Sequence, residues 1–182
     1  ISLKDTLSDL FGGINILLSQ TMKEGDYIEL DNGYQGYVVN IGWRYTTLRE
    51  RQNNLISIPN SVLSGSTSKN FTSKDAAFRV PIQIGVSYDS DLDRVERVTL
   101  DVANKIYNEL DCINRDYKPT IRFREFADSS VNFFIYFQGK EFGDHNTILN
   151  TFIKALHKRY KEEGIEIPYP IRTVIHKNEI KN

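Results

Sequence analysis

The chain has 182 residues, 40% of them hydrophobic and 26% charged, enough to bury a real core in one or two domains. Lys and Arg number 23 against 24 Asp and Glu, a net charge of -1, which argues against a general nucleic-acid binder with its basic excess. Cys112 is the only cysteine, so an internal disulfide and a cysteine-rich zinc site are excluded and a reducing compartment fits. Ile1 rather than Met opens the chain, and a longer parent protein is expected. No stretch approaches the roughly 18 consecutive apolar residues of a membrane span, and no signal-peptide pattern is present.

Residues 1–22 read as an amphipathic helix. Leu3, Leu7, Leu10, Ile14 and Leu17 recur at steps of four and three, a seam of the kind that packs helix on helix, widened by Phe11 and Leu18. Gly12 and Gly13 fall mid-helix, where each costs roughly 1 kcal/mol against alanine, so close approach to a neighbour or a bend is expected there. The pattern alone leaves open an ordinary core helix.

Residues 23–68 read as a β domain. Tyr27–Leu30 is a short strand, followed by a turn at Asp31-Asn32-Gly33. Residues 36–49 form a long β-rich run placing Tyr37, Val39, Ile41, Trp43 and Tyr45 on one face and Asn40, Arg44 and Thr46 on the other. Gln52-Asn53-Asn54 turns the chain into Leu55–Ile58, which Pro59 ends. Short strands and tight turns predict a small β barrel or sandwich, with Ser64–Ser68 as a connector.

Residues 69–170 alternate element types. Phe78–Ser87 is a strand whose Pro81 argues for an edge or a bulge. Ser90-Asp91-Leu92-Asp93 caps a helix with a core face of Leu92, Val95, Val98, Val102, Ile106 and Leu110. Residues 120–127 and 131–139 form a hairpin, and Asp144 opens a second helix carrying Ile148, Phe152, Leu156 and Tyr160, stopped by Gly164. With Ile165–Ile167 extended, the order β-α-β-β-α-β is that of a ferredoxin-like split βαβ domain. The whole is therefore α+β. Residues 171–182 comprise a short strand, Ile171–His176, and a polar tail; this orphan strand either frays or pairs with another chain.

No phosphate-cradling glycine loop occurs. His145, His157 and His176 share no metal-ligand spacing, and Cys112 has no cationic activator near it in sequence. Asp89, Asp91 and Asp93 lack the glycine and glutamate of a calcium loop and suit helix capping. No catalytic set, cofactor site or metal site is expected. Tyr34, Tyr37, Trp43 and Tyr45 beside Arg44 and Arg49 suit either base stacking or a barrel core with a wet rim.

Several stretches together resemble the mechanosensitive channel of small conductance (MscS-like) family. Residues 3–13, LKDTLSDLFGG, are similar to the junction where that family's pore helix becomes its interfacial half. Gly25-Asp26-Tyr27-Ile28, Gly36 and Ile41-Gly42-Trp43-Arg44 resemble its β domain, and Ile58-Pro59-Asn60-Ser61 the signature that ends it. Residues 85–91, GVSYDSD, and 164–170, GIEIPYP, resemble the start and end of its α/β domain. Lys4 and Asp9 stand where many relatives carry uncharged amides.

The resemblance implies a homo-oligomeric, heptameric channel of the inner membrane. Its membrane spans would precede Ile1, and this portion would form a hollow cage on the cytoplasmic side. Such channels open under tension and pass ions and small solutes on hypoosmotic shock, and no nucleic-acid partner is implied. Leu3, Leu7, Leu10, Gly12, Gly13, Ile14 and Leu17 would pack the pore-proximal helix along the bilayer. Gly25, Asp26, Gly36, Trp43, Pro59 and Asn60 would carry the signature of a β domain of Sm-like type. Ile171, Thr173, Val174 and Ile175 would close an intersubunit barrel. Two readings from other classes stand beside it: an RNA-binding module on the small barrel, and an oligomeric regulatory domain sensing a small molecule.

Overall fold

A computed structural model describes residues 3–72 and 78–174 and divides the chain into two units, residues 1–78 and 79–182. The first unit opens with α1 (Leu3–Ser19), which ends at Gln20, a residue in the left-handed region at φ 51°. There follow β1 (Tyr27–Leu30), β2 (Gln35–Ile41), β3 (Tyr45–Arg49), β4 (Leu55–Pro59), the single-turn α2 (Asn60–Gly65) and β5 (Ser68–Asn70). The strands form one antiparallel sheet in the order β4-β3-β2-β1-β5, with β4 and β5 as its edges. The expected barrel or sandwich is thus, in hydrogen bonding, one sheet.

The long run expected over residues 36–49 breaks at Gly42-Trp43-Arg44, and a bulge between Val38 and Asn40 shifts the pairing with β3. The bulge sets the part-buried Ile41 against the core. Otherwise one alternation holds through both strands: Val38, Thr46 and Leu48 are buried, whereas Val39, Trp43 and Tyr45 are exposed. Ile16, Met22, Ile28, Leu30, Val38, Leu48, Ile58 and Leu63 form one apolar cluster that joins α1 to the sheet. Ser68–Asn70, part of which reads as connector from sequence, is β5: it pairs with β1, and Asn70 Nδ2 donates to Asp26 Oδ2 at 2.8 Å.

The second unit runs β6 (Phe78–Val86), α3 (Leu92–Glu109), β7 (Thr120–Phe126), β8 (Val131–Gly139), a 3-10 turn at Phe142–Asp144 and α4 (His145–Glu163). The sheet order is β6-β8-β7, so β6 with Pro81 is an edge, as a missing backbone donor requires. Ile165–Ile167, expected as a strand, is not one. Its recorded backbone tie to β6's end is the Ser87 N–H donating to Glu166 O at 3.1 Å. Residues 171–174 are likewise not a strand, and Ile175 to Asn182 lie outside the described residues.

Helix punctuation follows the chemistry. Asp91 Oδ1 accepts from the Arg94 N–H at 3.1 Å at the start of α3, and Gly164 stops α4 at φ 65°. Asp144 does not cap α4; its carboxylate accepts instead from the Glu141 N–H at 2.8 Å, which holds the 3-10 turn. The two helices are tied by Arg159, which reaches Asp101 at 2.7 Å and Glu163 at 2.8 Å, and by Arg94, 3.0 Å from Glu163.

Val95, Val98, Val102 and Ile106 of α3 and Ile148, Phe152, Leu156 and Tyr160 of α4 are buried. Thr99 is buried with them: its hydroxyl bonds Val95 O at 2.7 Å and shares a hydrogen bond with Tyr160 Oη. Burial pushes the Tyr160 phenol up to about 12, against the Thr99 bond that favours ionisation. A raised phenol means stability present below pH ~10 and lost as pH climbs toward ~12, roughly 2–3 kcal/mol in all. Alkaline unfolding followed by circular dichroism should therefore lose a step in Tyr160→Phe; an unchanged profile contradicts this.

Candidate functional site

The helix seam read from sequence does not meet the body of its own unit. Leu3, Leu7, Leu10, Ile14 and Leu17 are exposed, as are Phe11 and Leu18. The buried residues of α1 are Asp9, Gly12, Gly13 and Ile16, at spacings i, i+3, i+4 and i+7, a stripe of small and polar groups on the opposite side. Against it stand two segments of the β unit: the Gly42-Trp43-Arg44 break between β2 and β3, and the Pro59-Asn60-Ser61 entry to α2.

The glycines are required by distance. A Cβ on Gly12 would lie 2.5 Å from the Asn60 carbonyl oxygen, and one on Gly13 2.6 Å from Asn60 Nδ2. Asn60 is fully buried and spends its polar groups in three directions. Its backbone N–H donates to Arg44 O at 2.8 Å, and its Nδ2 donates to Gly42 O at 2.8 Å. Its Oδ1 accepts from the Thr46 hydroxyl at 2.8 Å. Pro59 suits the position before the helix because the β3–β4 ladder ends there.

Asp9 adds charge to this contact. It is 4% exposed, and its Oδ1 accepts from Ser61 Oγ at 2.6 Å and from the Ser61 N–H at 3.2 Å. Its Oδ2 lies 3.5 Å from Arg44 Nε, whose guanidinium also stacks 5.7 Å from the Trp43 ring centroid and 5.2 Å from that of Tyr45. The Ser61 hydroxyl holds the carboxyl below its ordinary value; burial opposes, and the Ser61 N–H and the Arg44 charge add to the lowering. A lowered carboxylate stabilises above the unfolded value near 4 and ceases to do so as pH falls through the folded one. Acidification below pH ~4 should therefore loosen the contact, read in the fluorescence of Trp43, the single tryptophan. Asp9→Asn should remove that acid step; a step retained in Asp9→Asn contradicts the assignment.

Of the other residues singled out in sequence, Gly25 sits at φ 90° in the turn before β1. Asp26 is buried, with Oδ2 accepting from the Lys23 N–H and from Asn70. A Cβ on Gly36 would lie 2.6 Å from Arg49 O in the facing strand. Trp43 is 64% exposed. Ile171 and Val174 are exposed, and Ile175 is outside the described residues. The sequence gives Asp9, Arg44, Thr46 and Ser61 no docking role, although Asp9 at i−3 and i−4 to a glycine pair marks a polar, small helix face.

Arg44, a candidate for base contact, is turned toward Asp9. Burial pushes the Cys112 thiol up, as expected of an unreactive cysteine. Among the described residues no cluster of three or more His, Cys, Asp or Glu could hold a metal, and no helix is long and apolar enough to cross a membrane. The contacts of the site fix a helix to a sheet.

Comparison with known proteins follows the same two units. The mechanosensitive ion channel beta-domain matches residues 5–73, and the C-terminal domain of the mechanosensitive ion channel MscS matches residues 80–167. The small-conductance mechanosensitive channel MscMJ of Methanocaldococcus jannaschii is 29% identical over 176 residues, 96% of this chain and 49% of the relative. An uncharacterized MscS family protein of Synechocystis sp. is 31% identical over 177 residues, 96% of this chain and 56% of the relative. The chain spans about half the length of the curated relatives it matches. The closed-state crystal structure of Helicobacter pylori MscS superposes with a TM-score of 0.78 at 28% identity, covering 97% of this chain and 68% of that one. Arabidopsis thaliana MSL1 shares the fold, with a TM-score of 0.65 at 20% identity over 91% of this chain and 59% of that one. The two matched domains stand in the same order here, one holding the docking site and the other the second unit, and the chain belongs to the MscS family of mechanosensitive channels.

Proposed function

We propose that the chain is the cytoplasmic-side portion of an inner-membrane channel that opens under bilayer tension and releases ions and small solutes on hypoosmotic shock. The observation that carries this is the two-sided helix α1. One face is held by Asn60 and Ser61; the other leaves Leu3, Phe11 and Leu18 between 65% and 78% exposed. So much unpartnered apolar surface on one helix marks a contact surface. In this reading it is covered by neighbouring copies in a homo-oligomer, heptameric by family resemblance, and by the bilayer that upstream spans would cross.

The division into residues 1–22 as interfacial helix, 23–68 as an Sm-like β domain, 69–170 as a ferredoxin-like domain and 171–182 as an intersubunit strand belongs to the same proposal. The order β6-β8-β7, with Glu166 bonded beside the end of β6, supports the ferredoxin-like part. Ile171, Thr173 and Val174, which form no strand here, would then gain backbone pairing from partner chains, with Ile175 continuing the same strand.

A pore of this kind opens because its open state occupies more membrane area, so tension shifts a two-state population much as a ligand does. The helix cannot move without the β unit while Asp9, Gly12 and Gly13 stay docked. Reconstituting the full-length protein in liposomes and recording from excised patches tests the function. Stepwise currents whose open probability rises with suction are expected; folded, inserted protein that passes no tension-dependent current overturns the proposal.

A further inference from the structure

The sheet of the second unit has two unlike faces. Val131, Phe133, Ile135 and Phe137 of β8 are buried, while Asn132, Phe134, Tyr136 and Gln138 alternate with them on the other face. There the rings of Phe134 and Tyr136 stack on one another, 6.0 Å apart and within 20° of parallel. Arginines flank them from both neighbouring strands. Arg79 of β6 places its guanidinium 5.5 Å from the Tyr136 ring centroid. Arg124 of β7 lies 5.9 Å from that of Phe134 and donates to Tyr136 Oη at 3.3 Å. Arg122 stands directly across from Phe134 in the ladder.

Three arginines gather on this face. Arg94 and Arg159, on the helices, are matched by Glu163 and Asp101. Among the described residues none of Arg79, Arg122 and Arg124 has a carboxylate partner. Arg122 donates only to its neighbour's carbonyl, Ile121 O at 2.8 Å. The nearby acid, Glu125, is engaged by Asn132 Nδ2 at 3.0 Å. Guanidiniums are shaped to fork onto carboxylate or phosphate, and aromatic faces accept flat rings. A simple anion would leave the rings unused, and an uncharged aromatic would leave the arginines unused.

We propose that this face binds a nucleoside monophosphate, its base added to the Phe134–Tyr136 stack and its phosphate held by Arg79 and Arg124. The reading is independent of channel gating. Calorimetric titration of the full-length protein with AMP, adenosine, ribose 5-phosphate and inorganic phosphate tests it. AMP should bind at least about tenfold more tightly than each fragment, because adenosine lacks the phosphate for the arginines and the two phosphates lack the base for the rings. Tyr136→Ala and Arg124→Gln should each weaken AMP about tenfold or more, while Tyr136→Phe, which keeps the ring, should retain it. Equal affinity for inorganic phosphate, or AMP affinity unchanged in both Tyr136→Ala and Arg124→Gln, overturns the proposal. So does an absence of AMP binding, whether the face is empty or covered by a second copy. An adenosine oligonucleotide that binds far more tightly than AMP would make the ligand a nucleic acid and overturn it too.

Discussion

Replacing Gly12 with leucine should undock α1 from its β unit. The Cβ alone would stand 2.5 Å from the Asn60 carbonyl oxygen and 2.9 Å from the Ser61 nitrogen, both backbone atoms that no rotamer change can clear. Overpacking of this kind costs about 1–3 kcal/mol, and the larger side chain falls at or beyond the upper end. Gly12→Ala regains up to about 1 kcal/mol of helix propensity and should undock the helix less completely. At Gly13 the obstacle is the Asn60 side-chain amide, so Gly13→Ala forces a choice between the helix contact and the Asn60–Gly42 bond. Hydrogen exchange is the measurement: α1 amides in Gly12→Leu should lose protection while those of α3 and α4 keep theirs. Protection of α1 equal to that of the parent protein contradicts the docking geometry.

Asn60→Ala should be the most destabilising single change in the first unit. Asn60 is fully buried, and its removal strands the Thr46 hydroxyl and the Gly42 carbonyl with no replacement partner. Each buried polar group left unmade costs about 1–3 kcal/mol, so roughly 2–5 kcal/mol is expected. Asn60→Asp should behave no better, because a carboxylate facing Gly42 O sets acceptor against acceptor. Chemical denaturation followed by Trp43 fluorescence reads the change directly, since that residue sits in the segment Asn60 holds. A midpoint within error of the parent would mean that the amide is not what joins the strands to α2.

The units were legible in the sequence because periodicity and punctuation are local. The turns at Gly33 and Asn53, with φ of 87° and 70°, the cap at Asp91 and the stop at Gly164 each depend on a few neighbouring atoms. What local pattern left open is which face of the run over residues 36–49 meets the core. Val38, Thr46 and Leu48 are buried and Val39, Trp43 and Tyr45 are exposed, and no composition cue marks the bulge and the break that interrupt the run. Gly12, Gly13 and Asn60 could be picked out in advance, the glycines because they cost stability inside a helix. The pairing of Asp9 with Arg44 could not, because it joins segments 35 positions apart. The apolar seam was visible, but its Leu3, Leu7, Leu10, Ile14 and Leu17 point away from their own β unit, which periodicity alone does not tell.

Patch recordings on the full-length protein with and without Gly13→Leu test the central claim, that the grip of the β unit on α1 sets the tension at which the channel opens. The midpoint tension should shift in a variant that still inserts, assembles and conducts. An identical midpoint in a variant whose α1 has lost its exchange protection would contradict the account.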